Sequence, residues 1–255
     1  MISQLGFLSP EVDAREGELL AAYRNVFDVS ERLSKLFVRL LREAELDRTS
    51  VRAMTMHALG ARSLELFQSS IILLRKGCIP PARVLCRAMI ETAYKLCAIQ
   101  LASDGIDRYV SQENSTRLQK LRNIQKYKQA YPRSGVAAGI EAEIDVLSKE
   151  KPKKTEPHEW ASLAKMDDFH NLYYQGMSDD THANMESLNH YFDDEAPHIM
   201  GFGPSDKGLL VVATACHRTV INVVEKYAAF QGSHISDELS LLNKDNDGLE
   251  SLYAR

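Results

Sequence analysis

Apolar residues recur along the chain at steps of three and four, the spacing that collects them on one face of an α-helix. Between residues 11 and 44 the positions Leu20, Tyr23, Val26, Phe27, Leu33, Leu36, Phe37 and Leu40 form such a stripe. Ser9-Pro10 ahead of it is a start signal, a capping hydroxyl followed by a proline whose fixed φ suits the first helical position. The stripe predicts one long helix, or two with a break near Asp28-Val29-Ser30. Asp47 or Thr49 is placed to cap a second helix that runs to residue 76, where Gly77 supplies a stop. Pro80 and Pro81 open a third, PARVLCRAMIETAYKLCAIQLA, which Gly105 ends. This third helix is apolar on nearly every side and is therefore expected to be surrounded by others.

Residues 106–131 are polar and basic, and a shorter helix is expected over 137–150. KEKPKKTEPHEW, rich in Lys and Pro, reads as a surface loop near residues 149–158. Helical patterns return over 158–166 and 167–192, with a break at 176–180, before an irregular stretch over 193–207. Residues 208–230 form a strongly apolar core helix, and the polar tail after Gly232 is expected to fray. No series of strands and no fixed-period repeat is present. The fold class predicted is all-α: a single helical bundle of about six to eight helices with polar loops, one domain over residues 1–232 and a polar tail over 233–255.

Composition narrows the function classes. Of 255 residues, 44% are hydrophobic and 26% charged, which is ordinary for a globular chain and opposes bulk disorder. The formal net charge of −4 means that nucleic-acid binding would need a local basic patch rather than a global excess. Cys78, Cys86, Cys97 and Cys216 form no Cys-x-x-Cys pair and three of them sit in apolar stretches, so buried thiols are expected, with neither zinc nor a disulfide partner. The most apolar run, LLVVATACHRTVINVV, is interrupted by His217 and Arg218 and falls short of the ~20 residues a membrane span requires. The first residues lack a basic region followed by an apolar core, and a cytoplasmic location without membrane association is expected.

Several chemistries have no motif here: no P-loop, no G-x-G-x-x-G after a strand, no H-E-x-x-H and no G-x-S-x-G elbow. Asn243-x-Asp245-x-Asp247-Gly248 imitates the start of a calcium loop, but its twelfth position is Ala254 and no exit helix can follow. The third helix carries the most informative polar set. Arg83, Arg87, Glu91 and Lys95 recur every four residues on one face, with Tyr94 on the same side. They form either a narrow solvent-facing stripe or an Arg–Glu network lining a pocket, and burial would require each charge to be paired. A second set is Tyr173, Tyr174, Ser178, Asp179, Asp180, His182 and Asn184. His182, whose acidic neighbours favour its protonated form, is either a pocket histidine or a surface residue of a helix capped by Ser178 or Asp180. It also starts an i, i+4, i+8 series with Glu186 and His190, which gives a metal site as the alternative. On the second helix Arg52-x-x-x-x-His57 imitates the Arg/His pair of helical HEPN ribonucleases, although Ala53 stands where that class favours a polar residue. The basic stretch over 108–128, interleaved with Tyr109, Tyr127 and Tyr131, could touch phosphate backbones or form an ordinary solvated face.

VLCRAMIETAYKL together with the later W-x-x-x-x-A…YYQGMSDDTHAN resembles a bacterial family of all-helical proteins known only as a domain of unknown function. The resemblance spans roughly residues 51–230. It rests on an Arg-x-x-x-Glu helix and a later Tyr…Ser-x-x-x-His, matched here by Arg87, Glu91, Tyr174, Ser178 and His182. It implies a helical bundle and, through a distant analogy to HEPN-type proteins, a role in stress or phage defence. One expectation is a metal-independent ribonuclease, or a nucleotide- or phosphate-binding protein. In it Arg87 binds a phosphate or carboxylate, Glu91 orients Arg87 or acts as base, and His182 is the general acid or base. Arg83, Tyr94, Tyr174, Ser178, Asp179 and Asn184 complete the binding set, RNA or a small phosphate ligand is the partner, and no cofactor is expected. The alternative is a non-catalytic interaction module, a homodimer or a partner-binding protein, in which the Arg/Glu/His network is structural.

Overall fold

The structure, a computed structural model, describes residues 6–130, 139–178, 188, 191 and 203–253. Among them there are ten helices and no strand: the chain is all-α, as its periodicity predicts. The first break falls at Tyr23, between α1 (Glu11–Ala22) and α2 (Arg24–Glu43), rather than at Asp28–Ser30. Val29 and Ser30 face the core at 5% and 2% exposure, so packing carries α2 straight through that stretch. Ser50, not Asp47 or Thr49, caps α3 (Val51–Arg75) by accepting from the Ala53 N–H at 3.2 Å. Asp47 instead accepts from Thr49. Gly77, at φ +69°, ends α3 as expected: the Cys78 N–H reaches back to the Leu73 carbonyl and the Gly77 N–H to that of Leu74.

The third predicted helix is α4 (Ile79–Leu101), whose apolar side chains from Cys86 to Ile99 are almost wholly shielded. Gly105 does not end it but begins α5 (Gly105–Ala130). A Cβ on Gly105 would lie 2.5 Å from the Ala98 carbonyl oxygen, so only glycine lets the chain fold back this closely onto α4. Helix α6 (Ile140–Glu150) runs beside α5, tied to it through Arg117–Glu143, Arg122–Ser148 and Asn114–Glu150. Arg117 is thereby ion-paired with Glu143 and Arg122 donates to a hydroxyl. After the expected loop come α7 (Pro157–Leu163) and α8, which is built from Asp167–Phe169, a π-turn over His170–Tyr174, and Gln175–Ser178. The core is completed by α9 (Leu209–Gln231), which packs on α3, α4 and α2. No helix among the described residues is long and apolar enough to cross a membrane.

The C-terminal stretch corrects the expectation of a frayed tail. Residues Ser236–Tyr253 form α10, which lays Leu239, Leu242 and Leu249 on α9 and α2. The polar interruption of α9 anchors it. His217 is fully buried, with Nδ1 3.0 Å from Asn246 Oδ1 and Nε2 2.7 Å from Ser30 Oγ, so one imidazole joins α2, α9 and α10. Arg218 reaches Asn243, Asp247 and Glu250, while Asp245 pairs with Arg32. The residues that imitate a calcium loop are thus helical, and their side chains are taken up by arginines. The Ser30–His217–Asn246 line has the order of a nucleophile, a base and an orienting group. It is sealed from solvent and functions as a clamp.

Burial pushes the His217 pKa down to about 4, against a hydrogen bond to the Asn246 oxygen that pulls it up. In the unfolded chain the ring titrates near ~6.5. Between those values the unfolded state binds the extra proton, so stability is fully present above the higher value and falls as pH drops toward the lower one. The expected loss across that window is about 3 kcal/mol. Urea unfolding of wild type and His217→Gln at pH 7 and 4.5 checks it. The variant should be weaker at pH 7 and should lose much of the acid sensitivity; an unchanged pH slope would contradict the assignment.

Candidate acid–base site at the junction of α4 and α8

The stripe Arg83–Arg87–Glu91–Lys95 is neither a free solvent face nor a sealed network. It is roofed by α8 and α5. Arg83 donates to the Gly176 carbonyl at 2.8 Å. Arg87 pairs with Glu91 Oε1 at 3.2 Å and donates to the Tyr174 hydroxyl at 3.1 Å. That hydroxyl donates to the same Glu91 oxygen at 2.8 Å, and the Arg87 guanidinium lies 5.2 Å from the centre of the Tyr174 ring. The three groups form a closed ring of charge-assisted bonds in which the guanidinium and carboxylate each satisfy the phenol. The Arg87 side chain is 18% exposed and that of Glu91 40%, so the network is half-dry with its carboxylate toward solvent. Lys95 leans over the Tyr109 ring of α5 at 5.7 Å and faces Glu113 at 3.9 Å.

Of the residues expected at a site, Arg83, Arg87, Glu91, Tyr94 and Tyr174 lie together at one junction. Ser178 closes the described part of α8. Asp179, His182 and Asn184 lie outside the described residues, as do Glu186 and His190 of the metal alternative. Among the described residues no group of three His, Cys, Asp or Glu side chains comes together as metal ligands. Arg52 and His57 do not form a pair: Arg52 donates to the Ile99 carbonyl and Gln100 Oε1, both at 3.1 Å, and His57 Nδ1 sits 2.8 Å from the Tyr227 hydroxyl. All four cysteines are free and buried, and burial pushes the Cys97 thiol up to about 12, away from thiolate chemistry.

One imidazole went unmarked by sequence reasoning. His170 stands one π-turn before Tyr174, and the two rings stack with centroids 4.7 Å apart and planes at 19°. Its signal was its place four residues before Tyr174, on the same face, in a segment whose geometry only packing reveals; π-turns recur at functional sites. Burial lowers its pKa, helped by the charge of His158 and opposed by Asp167, so the ring is neutral at neutral pH. Tyr94 completes the cluster, 5.9 Å from His170 and 6.0 Å from Tyr174 between ring centroids. Burial raises the Tyr94 phenol far above its ordinary range, and burial also raises that of Tyr174, with Arg87 opposing. The Tyr94 hydroxyl and His170 Nδ1 are buried with no hydrogen-bond partner among the described residues.

A cleft of about 220 Å³ opens beside this cluster, lined among others by Glu91, Tyr94, Lys95, Gln112, Lys154 and Trp160. Trp160 is held at its edge by a 2.6 Å bond from its indole N–H to Gln112 Oε1. The larger hollow of about 460 Å³ beside Arg52 and Val110 lies away from the cluster and contains neither of its unpartnered groups.

A model of a family of unknown function (DUF5677) matches residues 54–199. The chain belongs to that family. The match takes in α3 to α8, hence both halves of the junction, and stops short of α9 and α10, where the resemblance had been read to reach residue 230. No curated protein and no solved structure matches the chain.

The ring of bonds predicts opposite outcomes for two conservative changes. Tyr174→Phe leaves Arg87 and Glu91 without their shared hydroxyl and should cost about 1–2 kcal/mol in urea unfolding. Tyr94→Phe removes a buried, unpartnered hydroxyl and should be neutral or stabilising. A loss above ~1 kcal/mol in the second variant would show that the hydroxyl has a partner beyond the described residues.

Proposed function

We propose that the junction of α4 and α8 is a metal-independent acid–base site acting on a phosphodiester of single-stranded RNA, in a stress or phage-defence setting. The observation that carries the reading is the Tyr174 phenol held between Arg87 and Glu91 with a neutral imidazole, His170, stacked on it. It is supported by Lys151 and Lys153, exposed on the loop whose Lys154, paired with Glu156, lines the adjoining cleft. In this mechanism His170 takes the proton of a ribose 2′-hydroxyl and the 2′-oxygen attacks phosphorus. The bond from phosphorus to the 5′-oxygen breaks, and that oxygen leaves with a proton from His182. The products are a 2′,3′-cyclic phosphate and a 5′-hydroxyl. Arg87 offsets the charge growing on the non-bridging oxygens, while Glu91 and Tyr174 hold its guanidinium in place.

Removing a general acid or base from such a site costs roughly 10²- to 10⁴-fold in rate. Labelled single-stranded RNA incubated with the purified protein in excess chelator should be cleaved, with cyclic phosphate termini. His170→Gln, His182→Gln and Arg87→Lys should each lose about 100-fold or more, and His57→Gln should not. Absence of cleavage, or wild-type rates in the three site variants, would remove the catalytic reading.

A second reading has an observation of its own. Arg83 bonds the Gly176 backbone and Arg87 is committed to Glu91 and Tyr174, which ties α8 to α4 in one register. A non-catalytic module, homodimeric or partner-binding, would use the network in this way. It predicts that the site variants lower the melting temperature together and that sedimentation shows a stable dimer or a bound partner.

A further inference from the structure

Lys95 ends the charged stripe of α4, and no step of the reaction above uses it. It lines the cleft beside the acid–base cluster, together with Glu91, Gln112, Lys154, Glu156 and Trp160. The other charges of that cleft are matched at short range. Glu91 meets Arg87 at 3.2 Å and the Tyr174 hydroxyl at 2.8 Å, and Lys154 meets Glu156 at 3.3 Å. Lys95 is matched only loosely. Its one carboxylate partner among the described residues is Glu113, at 3.9 Å, which is beyond hydrogen-bond reach. Glu113 is half in solvent, whereas the Lys95 side chain is 24% exposed. The Tyr109 ring, 5.7 Å from the ammonium, holds that charge at the cleft wall.

Gln112 adds donors beside it. Its Oε1 takes the Trp160 indole N–H, a group that can only donate, so the amide NH₂ is left for another acceptor. A shielded cation without a close counter-ion, next to an amide donor, selects an oxygen-rich anion. Lys95 lies on the same face of α4 as Arg87 and just over two turns further on, about 12 Å along the axis. A strand whose scissile phosphodiester sits at Arg87, and which runs along α4 into the cleft, brings another of its phosphates to Lys95. We propose that the cleft holds a non-scissile phosphate of a single RNA strand, bound by the Lys95 ammonium and the Gln112 amide, in place of the loose contact with Glu113. The choice of RNA rests on the reading above; the binding itself does not depend on cleavage.

The test uses the full chain and a 2′-fluoro uridine octamer, which lacks the attacking hydroxyl and so reports binding alone. The single tryptophan, Trp160, stands on the cleft wall and supplies a fluorescence signal. Affinity is measured across a salt series. Lys95→Gln should weaken binding several-fold and make the slope of log K against log salt shallower by about 0.7, the change for one lost phosphate contact on a single strand. Lys95→Arg should restore both. Glu113→Gln should bind more tightly than wild type, because it removes the carboxylate that competes with the phosphate, and a gain of this kind cannot come from misfolding. Uridine monophosphate should bind several-fold more weakly than the octamer. The proposal is overturned if folded wild-type protein does not bind the octamer, if Lys95→Gln keeps the wild-type slope, if Glu113→Gln binds no more tightly, or if uridine monophosphate binds as well as the strand. Lys95-dependent binding with no cleavage of ordinary RNA would sink the ribonuclease reading alone. Cleavage by a protein whose salt slope is indifferent to Lys95 would sink this one alone.

Discussion

Burying a helix that carries one line of charges obliges the surrounding elements to answer those charges. Helix α4 lies in the middle of the bundle, and its line of four ionisable residues cannot all reach open water. Leaving an ion unpaired in such a place costs several kcal/mol. The Tyr174 hydroxyl on α8 supplies the answer for two of them at once, accepting from Arg87 and donating to Glu91. The Gly176 carbonyl supplies it for a third. The docking of α8 on α4 and the stacking of His170 beside it go with this one arrangement.

The same constraint recurs on α9, with a different outcome. His217 and Arg218 interrupt the most apolar run in the chain, and α10 brings Asn246, Glu250 and Asp247 to meet them. There His217 and Asn246 are saturated and closed to solvent, Arg218 is matched by carboxylates nearer the surface, and their effect is to dock a helix. At the α4–α8 junction the groups are saturated on one side only. Glu91 stays half-exposed, and Tyr94 and His170 keep buried polar atoms without partners among the described residues. Native proteins rarely leave such atoms unmatched, and where they do a ligand, a water or a functional demand is the usual reason. This contrast directs the functional reading to α4 and α8 rather than to the triad-like line at His217.

Much of this protein was determined by the sequence alone, because the information is local. Three- and four-residue periodicity, Pro80-Pro81 at a helix start and Gly77 at a helix end make an all-α bundle, and the near-complete apolarity of 82–99 puts that helix inside. Arg87 and Glu91 pair because four residues make one turn. Only tertiary structure could decide the rest, since each remaining feature depends on residues far apart in the chain. Gly105 looked like a stop but serves a 2.5 Å approach to α4, which no local pattern encodes. The tail after Gly232 looked too polar to pack, yet a helix needs only one apolar stripe and a few partners to do so, and His217 supplies the partner. The four-residue spacing from His170 to Tyr174 was too slight a mark in the sequence, because its meaning comes from stacking across a π-turn beside Tyr94. Which charges sit dry and which stay open to a ligand is a property of what covers them.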